Sequence, residues 1–179
     1  IGTAGYKGKM KWKDFVSGTD VTLYKVRPQA PEKNLNGNMD ADDSELQTAA
    51  EFDVYTDYSL TLGERLEMNA GVKASCYVSP ENKTFWGLSP AASISYDAYQ
   101  LGKVTASYSY QHQYLFQTGL SNIGLPIDFW FMAGSHSLPQ SAQSCSLGYE
   151  VGLKKDMYRI SLEAYGKRLY NQVEYNGDL

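Results

Sequence analysis

The stretch Arg65-Leu66-Glu67-Met68-Asn69-Ala70-Gly71-Val72-Lys73-Ala74-Ser75-Cys76 decides the fold class. Its even positions are Leu66, Met68, Ala70, Val72, Ala74 and Cys76; its odd positions are Arg65, Glu67, Asn69, Gly71, Lys73 and Ser75. A helix would scatter both sets around its circumference, whereas a pleated strand gives each set its own face. The same period returns along the chain. Ala92, Ile94, Tyr96 and Ala98 alternate with Ser93, Ser95 and Asp97, and Val104, Ala106, Tyr108, Tyr110 and Tyr114 with Ser and Gln positions. Cys145 to Leu153, Tyr158 to Ala164, and Tyr6 to Trp12 against Lys7, Lys9, Lys11 and Lys13 behave alike. The chain therefore reads as all-β, with about eight antiparallel strands over residues 1–179.

A soluble sandwich alternates too, with its apolar face inward. Two features point instead to a membrane barrel. Several of the expected strands run about eleven to fifteen residues, against about five or six in globular sheets. Short links, expected near Val16–Thr19, Leu62–Glu64, Gln100–Gly102 and Lys155–Asp156, take turns with longer ones near Pro28–Thr48, Ser79–Phe85 and Thr118–Ala142. Short turns at one end and long loops at the other are the habit of outer-membrane barrels. Trp86, Tyr96, Tyr99, Tyr108, Tyr110, Tyr114 and Phe116 gather toward strand ends, as girdle residues would.

Composition is compatible with this. No run of about twenty apolar residues exists, so no transmembrane helix is available. The mean hydropathy of −0.43 does not exclude barrel strands, because only alternate residues need be apolar. Tyr outnumbers Phe and Trp, 15 against 6 and 3, which suits strands and membrane–water boundaries. A net charge of −4 leaves no basic field to attract nucleic acid. Cys76 and Cys145 have no CxxC or His partner and read as free thiols. The start at Ile1 and the stop within Asn176–Leu179 read as cuts in a longer protein, with no signal peptide among these residues.

A family resemblance rests on several stretches in order. Ala50 to Tyr55, followed by Glu64 to Lys73, resembles a recurring barrel stretch of TonB-dependent receptors, an acidic-aromatic strand, a short turn and then R-L-x-x-N-A-G. Gly87 to Tyr96 and Ser107 to Tyr114 continue it. Leu125-Pro126-Ile127-Asp128-Phe129-Trp130 with Leu138-Pro139-Gln140 is similar to a loop of such receptors from Bacteroidetes-type bacteria, as is Ser161 to Lys167 with Tyr170-Asn171-Gln172. The match covers about residues 49 to 176, each motif being weak alone. Ala91 stands where the family pattern has Arg after Pro90, and Gly166 where it has an aromatic after Tyr165. The resemblance implies an up-and-down transmembrane β-barrel segment, part of a barrel of about 22 strands. It also implies an outer-membrane location and uptake of a siderophore, vitamin or glycan. The implied partners are the rest of the barrel and its plug, the TonB energy-coupling complex acting through that plug, outer-membrane lipid and a surface lipoprotein. Plug and energy-coupling box are expected to lie outside this chain. A soluble sandwich module and a small closed structural barrel are the alternatives.

No catalytic set, cofactor motif or metal spacing emerges, and the chain reads as a non-enzyme. His112 and His136 lack ligand partners at metal spacing. Asp40, Asp42, Asp43 and Glu45 lack the Gly and terminal Glu of a calcium loop. The apolar loop Ser121–Gln140 either packs on its neighbours or contacts ligand; Asp128 and Trp130 are the candidate ligand-binding residues.

Overall fold

The computed structural model describes residues 2–27, 32–33, 39–40, 46–119, 128–135, 137–153 and 157–172. The long strands are β1 (Gly2–Trp12), β2 (Phe15–Val26), β5 (Gln47–Leu62), β6 (Leu66–Val78), β7 (Thr84–Asp97), β8 (Lys103–Gln113), β11 (Gln140–Leu153) and β12 (Tyr158–Tyr170). Two minor hairpins are inserted: β3 (Glu32–Lys33) with β4 (Met39–Asp40), and β9 (Leu115–Gly119) with β10 (Asp128–Met132). The long strands form one eight-stranded antiparallel sheet in the order β1-β2-β5-β6-β7-β8-β11-β12, so each pairs with the next long strand in the chain. The all-β, up-and-down reading holds. No ladder joins β1 to β12 among the described residues, and the sheet is open at both edges.

Of the expected short links, those at Leu62–Glu64 and Gln100–Gly102 fall in place and one moves. The turn awaited at Val16–Thr19 is at Lys13 and Asp14 instead, with Lys13 at φ 50°. Gly18, which suggested a turn, lies inside β2, where a Cβ would collide with the Tyr55 hydroxyl. Its missing side chain serves a close approach, not a bend. Gly63 at φ 64° and Gly102 at φ 94° serve the turns after β5 and β7. At the other end, the link over 79–83 is no longer than the one over 98–102; the contrast in length rests on the links before β5 and before β11. Lys155–Asp156 lies outside the described residues.

Cross-strand register sets the two faces. Leu60, Met68, Ile94, Ala106, Leu147 and Ala164 form one continuous row across six strands. Leu62, Leu66, Tyr96, Val104, Tyr149 and Leu162 form the next row but one along the strands. This apolar face is the exposed one: Trp86 is 78% exposed and Leu162 69%. Glu51, Asp53, Ser75 and Ser89, on the opposite face, are buried. No second sheet covers the apolar face among the described residues, so a sandwich core is not formed there. Both cysteines are free, on the apolar side of β6 and β11.

The compact core lies at the long-loop end of the polar face. Val26, Ala49, Tyr77, Tyr114, Phe116, Met132 and Ala133 are buried together, with Tyr24, Phe85, Leu115, Trp130 and Phe131 against them. Tyr77 and Tyr114 stack with centroids 4.6 Å apart and planes 6° from parallel. Tyr77 donates its hydroxyl hydrogen to the Ala133 carbonyl at 3.2 Å, and the Ala133 N–H donates to the Tyr114 carbonyl at 2.8 Å. These contacts fold the β9–β10 hairpin inward until β10 approaches β2, four ladders away from β8.

Tyr114 and Phe116 therefore belong to this core and not to an outer girdle. The cause lies near Pro90. The β7–β8 ladder stops at Ala91 opposite Ser109, next to a residue without an N–H, while β8 stays paired with β11 as far as Gln113. Past that point His112 and Tyr114 reach the polar side, where Ser89 and Tyr77 meet them.

Candidate functional site

The middle of the polar face is the candidate site. β1, β2, β5 and β6 bring three carboxylates and two lysines together there. Lys73 Nζ lies 3.3 Å from Asp53 Oδ2 and 3.8 Å from Glu51 Oε1. Tyr24 donates its hydroxyl hydrogen to Glu51 Oε2 at 2.5 Å. Lys7 Nζ approaches Asp20 Oδ2 at 3.5 Å from the edge strand. Asp20 and Asp53 are direct cross-strand partners, a like-charge pairing that a sheet normally avoids. Alternating polar residues on three adjacent strands are enough to assemble this group, because register carries every second side chain to the same side.

Next to it is a hollow of about 420 Å³ lined by Tyr55, Asp57, Lys73, Ser89, Tyr110 and His112, among others. Ser89 Oγ and His112 Nδ1 are 3.2 Å apart, and the Tyr110 ring meets the imidazole edge-on at 5.0 Å. A serine nucleophile would need the histidine oriented by a further group. Among the described residues no hydrogen bond joins a carboxylate to His112. Further toward the short-turn end the face is knit by hydroxyl and amide pairs: Asn69 with Ser93, Ser95 with Thr105, and Ser107 with Ser146. Among the described residues no three His, Cys, Asp or Glu side chains are placed to hold a metal ion.

Trp130 is partly buried against the aromatic core. Asp128 opens β10 opposite Gly119, and its side chain lies outside the described ones. The two are thus carried by the inward hairpin, beyond the charged cluster. His136 and the acidic segment Asp42, Asp43 and Glu45 lie outside the described residues, as does the side chain of Asp40. The cluster of Asp20, Glu51, Asp53 and Lys73 was not singled out by sequence. Its one signal is the polar set Asp20, Glu51, Asp53 and Lys73 recurring at alternate positions of strands that pair. Compared with known protein families, curated proteins and solved structures, the chain matches none.

Proposed function

We propose that this chain is a stretch of the wall of an outer-membrane β-barrel, of the TonB-dependent receptor kind its motifs resemble. In that role it helps to import a scarce nutrient. The observation that carries the reading is the inverted polarity of the sheet. Its apolar face is outermost and uncovered, while its charged face is the buried one, which suits lipid outside and a wet interior. The apolar face runs from the Leu62–Leu66–Tyr96 row to the Phe52–Cys76–Trp86 row. That is about ten residue steps of about 3.3 Å, or about 33 Å along a strand. A strand tilt of about 40° turns this into a band about 25 Å tall, the height a barrel presents to the membrane. Tyr96 and Tyr149 mark one limit of the band and Trp86 the other, with Tyr58 and Tyr108 between.

The open edges at β1 and β12 fit the same reading, since a wall segment continues into neighbouring strands and an isolated edge recruits them. The remaining strands, a plug and the TonB complex acting on it are the partners this role requires. A siderophore, a vitamin or a glycan is the cargo class. The test is extraction of the full-length protein from outer membranes. Retention through alkaline carbonate and high-salt washes, with release by detergent, is the expected result. Release by either wash would overturn the proposal.

A further inference from the structure

Basic side chains on the polar face are matched by carboxylates wherever the neighbouring strand supplies one. Lys73 on β6 meets Asp53 and Glu51 on β5, and Arg159 on β12 meets Glu150 on β11. Lys103 on β8 stands opposite Asp97 on β7 and reaches Glu67, and Lys7 on β1 reaches Asp20 on β2. Lys9 and Lys11 break the pattern. Both are exposed on edge strand β1, and among the described residues neither makes an ion pair. On the β2 side Lys9 faces Gly18 and Lys11 faces Val16, neither of which can answer a charge. Beyond Val16 stands Asp57, but its carboxylate fills the space over Gly71 on β6, away from β1. Two cations at alternate positions are therefore uncompensated from inside the sheet, and only the outer side of β1 can supply their partners.

The backbone of that outer side is ready for a strand. β1 runs for eleven residues without a proline, and its register with β2 passes unbroken from Gly2 opposite Lys25 to Trp12 opposite Phe15. No ladder lies on its outer flank among the described residues. Strands that end a sheet are blunted by shortness, proline, a bulge or charge. Of these devices β1 has charge alone, and it is confined to one face, since Tyr6, Met10 and Trp12 stand exposed on the other. Such an edge remains open to pairing, and its lysines select the partner by sign.

We infer that β1 is an interaction edge for an antiparallel strand carrying Asp or Glu at alternate positions, opposite Lys9 and Lys11. Opposite charges directly across a ladder stabilise it and like charges oppose it. The partner's remaining residues are apolar, so as to continue the face of Tyr6, Met10 and Trp12. A second copy of this chain is the poorer occupant. Its β12 runs in the right sense to meet β1, but on the polar side it offers one carboxylate, Glu163, and brings the cations Arg159 and Lys167. The pairing goes beyond the wall reading and does not depend on it, because these charges lie on the side away from the apolar face.

The test adds fluorescent eleven-residue peptides to the full chain in zwitterionic detergent micelles. One alternates Glu with Val, one alternates Lys with Val, and one has the composition of the first with its glutamates run together. Saturable binding of the alternating Glu peptide is expected, about tenfold tighter than either control, from two cross-strand charge pairs. It should slow amide exchange in β1 and leave β12 unchanged. Lys9→Glu combined with Lys11→Glu should turn the preference toward the Lys peptide. Lys9→Gln combined with Lys11→Gln should reduce it to less than about threefold, and keeps the test decisive if the glutamate pair fails to fold. Circular dichroism and slow exchange in β5 and β6 establish the sheet in each variant. Absence of saturable binding would overturn the inference, the lysines then guarding the edge. Equal binding of the Lys peptide or of the run-together peptide would also overturn it, as would protection at β12 in place of β1, or a β1–β12 contact between two copies. Release of the full-length protein from membranes by carbonate, with the charge preference intact, would strike the wall reading and support this pairing.

Discussion

The two faces of the eight-stranded sheet are built by the same chain at alternate residues, yet they solve opposite problems. Among the described residues no second layer covers the apolar face, and its large side chains are partly to largely exposed. The polar face does all the internal packing, through ion pairs and hydroxyl pairs in the middle and stacked aromatics at the loop end. In a water-soluble sheet the apolar face would be the one to bury, because removing apolar area from water is the main driving force of folding. The reversed assignment is what the proposed membrane wall would require, with an apolar surround on one side and the specific contacts on the other.

The contrast is sharpest in substitutions that would tell the two faces apart. Tyr77→Ala removes the fully buried centre of the polar-face core, with its stack on Tyr114 and its bond to Ala133. It should cost about 3–5 kcal/mol, and faster amide exchange in β9 and β10 would show the hairpin coming loose. Unchanged protection there would mean the hairpin is held by something else. Leu147→Arg is the next largest. Leu147 is 57% exposed, so a solvated face predicts almost no effect, whereas a lipid-facing position two residues inside the Tyr149 limit of the band predicts a loss of about 1–2 kcal/mol. Its neighbour on the other face, Ser146→Arg, should cost far less; unfolding both variants from lipid vesicles separates the cases.

Within the polar face, Lys73→Met strands Glu51 and Asp53, while Lys103→Met breaks only the exposed 3.9 Å pair with Glu67. Lys73 is itself 36% exposed, so screening reduces the loss to about 1–2 kcal/mol, against less than about 0.5 for Lys103. Equal losses in denaturant unfolding would count against a special role for the cluster. The smallest effect is alkaline. Tyr114 lies past the end of β8, and burial pushes its phenol up to about 12 from an ordinary 10.0. A raised pKa means the neutral form is favoured in the folded state. The Tyr114 contribution is therefore complete below about pH 10 and is lost as pH rises through about 12. Tyr114→Phe should keep the hairpin docked higher on an alkaline titration followed by near-ultraviolet absorbance; an unaltered transition would assign it to other groups.

Much of this architecture was legible from period two. The Leu66–Cys76 alternation alone separates the exposed row residues Met68 and Ala70 from Asn69 and Lys73, because side-chain direction in a strand follows from parity. The long link expected at Ser79–Phe85 is as short as the turn over 98–102, whereas the number of long strands was legible for the same reason. Three things were not. Gly18 carries the composition of a turn, and only the Tyr55 side chain crossing it reveals a strand position. Tyr110, His112 and Tyr114 continue the parity of Tyr108 in sequence, but the ladder ends beside Pro90 and tertiary packing then decides where they go. The acidic row joins Asp20 to Asp53 and Ser75 across strands whose register had to be known first. The polarity of each residue could be read locally, while its neighbours across the sheet could not.

The central claim is that the apolar face lies against lipid, and Cys145 offers a direct probe of it. This free, exposed thiol sits on that face in the row of Tyr58, Ala92 and Tyr108. With Cys76 replaced by Ala, a nitroxide attached at Cys145 of the membrane-embedded full-length protein can be relaxed by oxygen or by a water-soluble nickel chelate. Strong relaxation by oxygen and weak relaxation by the chelate is the result this account requires. Ready access of the chelate, as at a solvated surface, would contradict it.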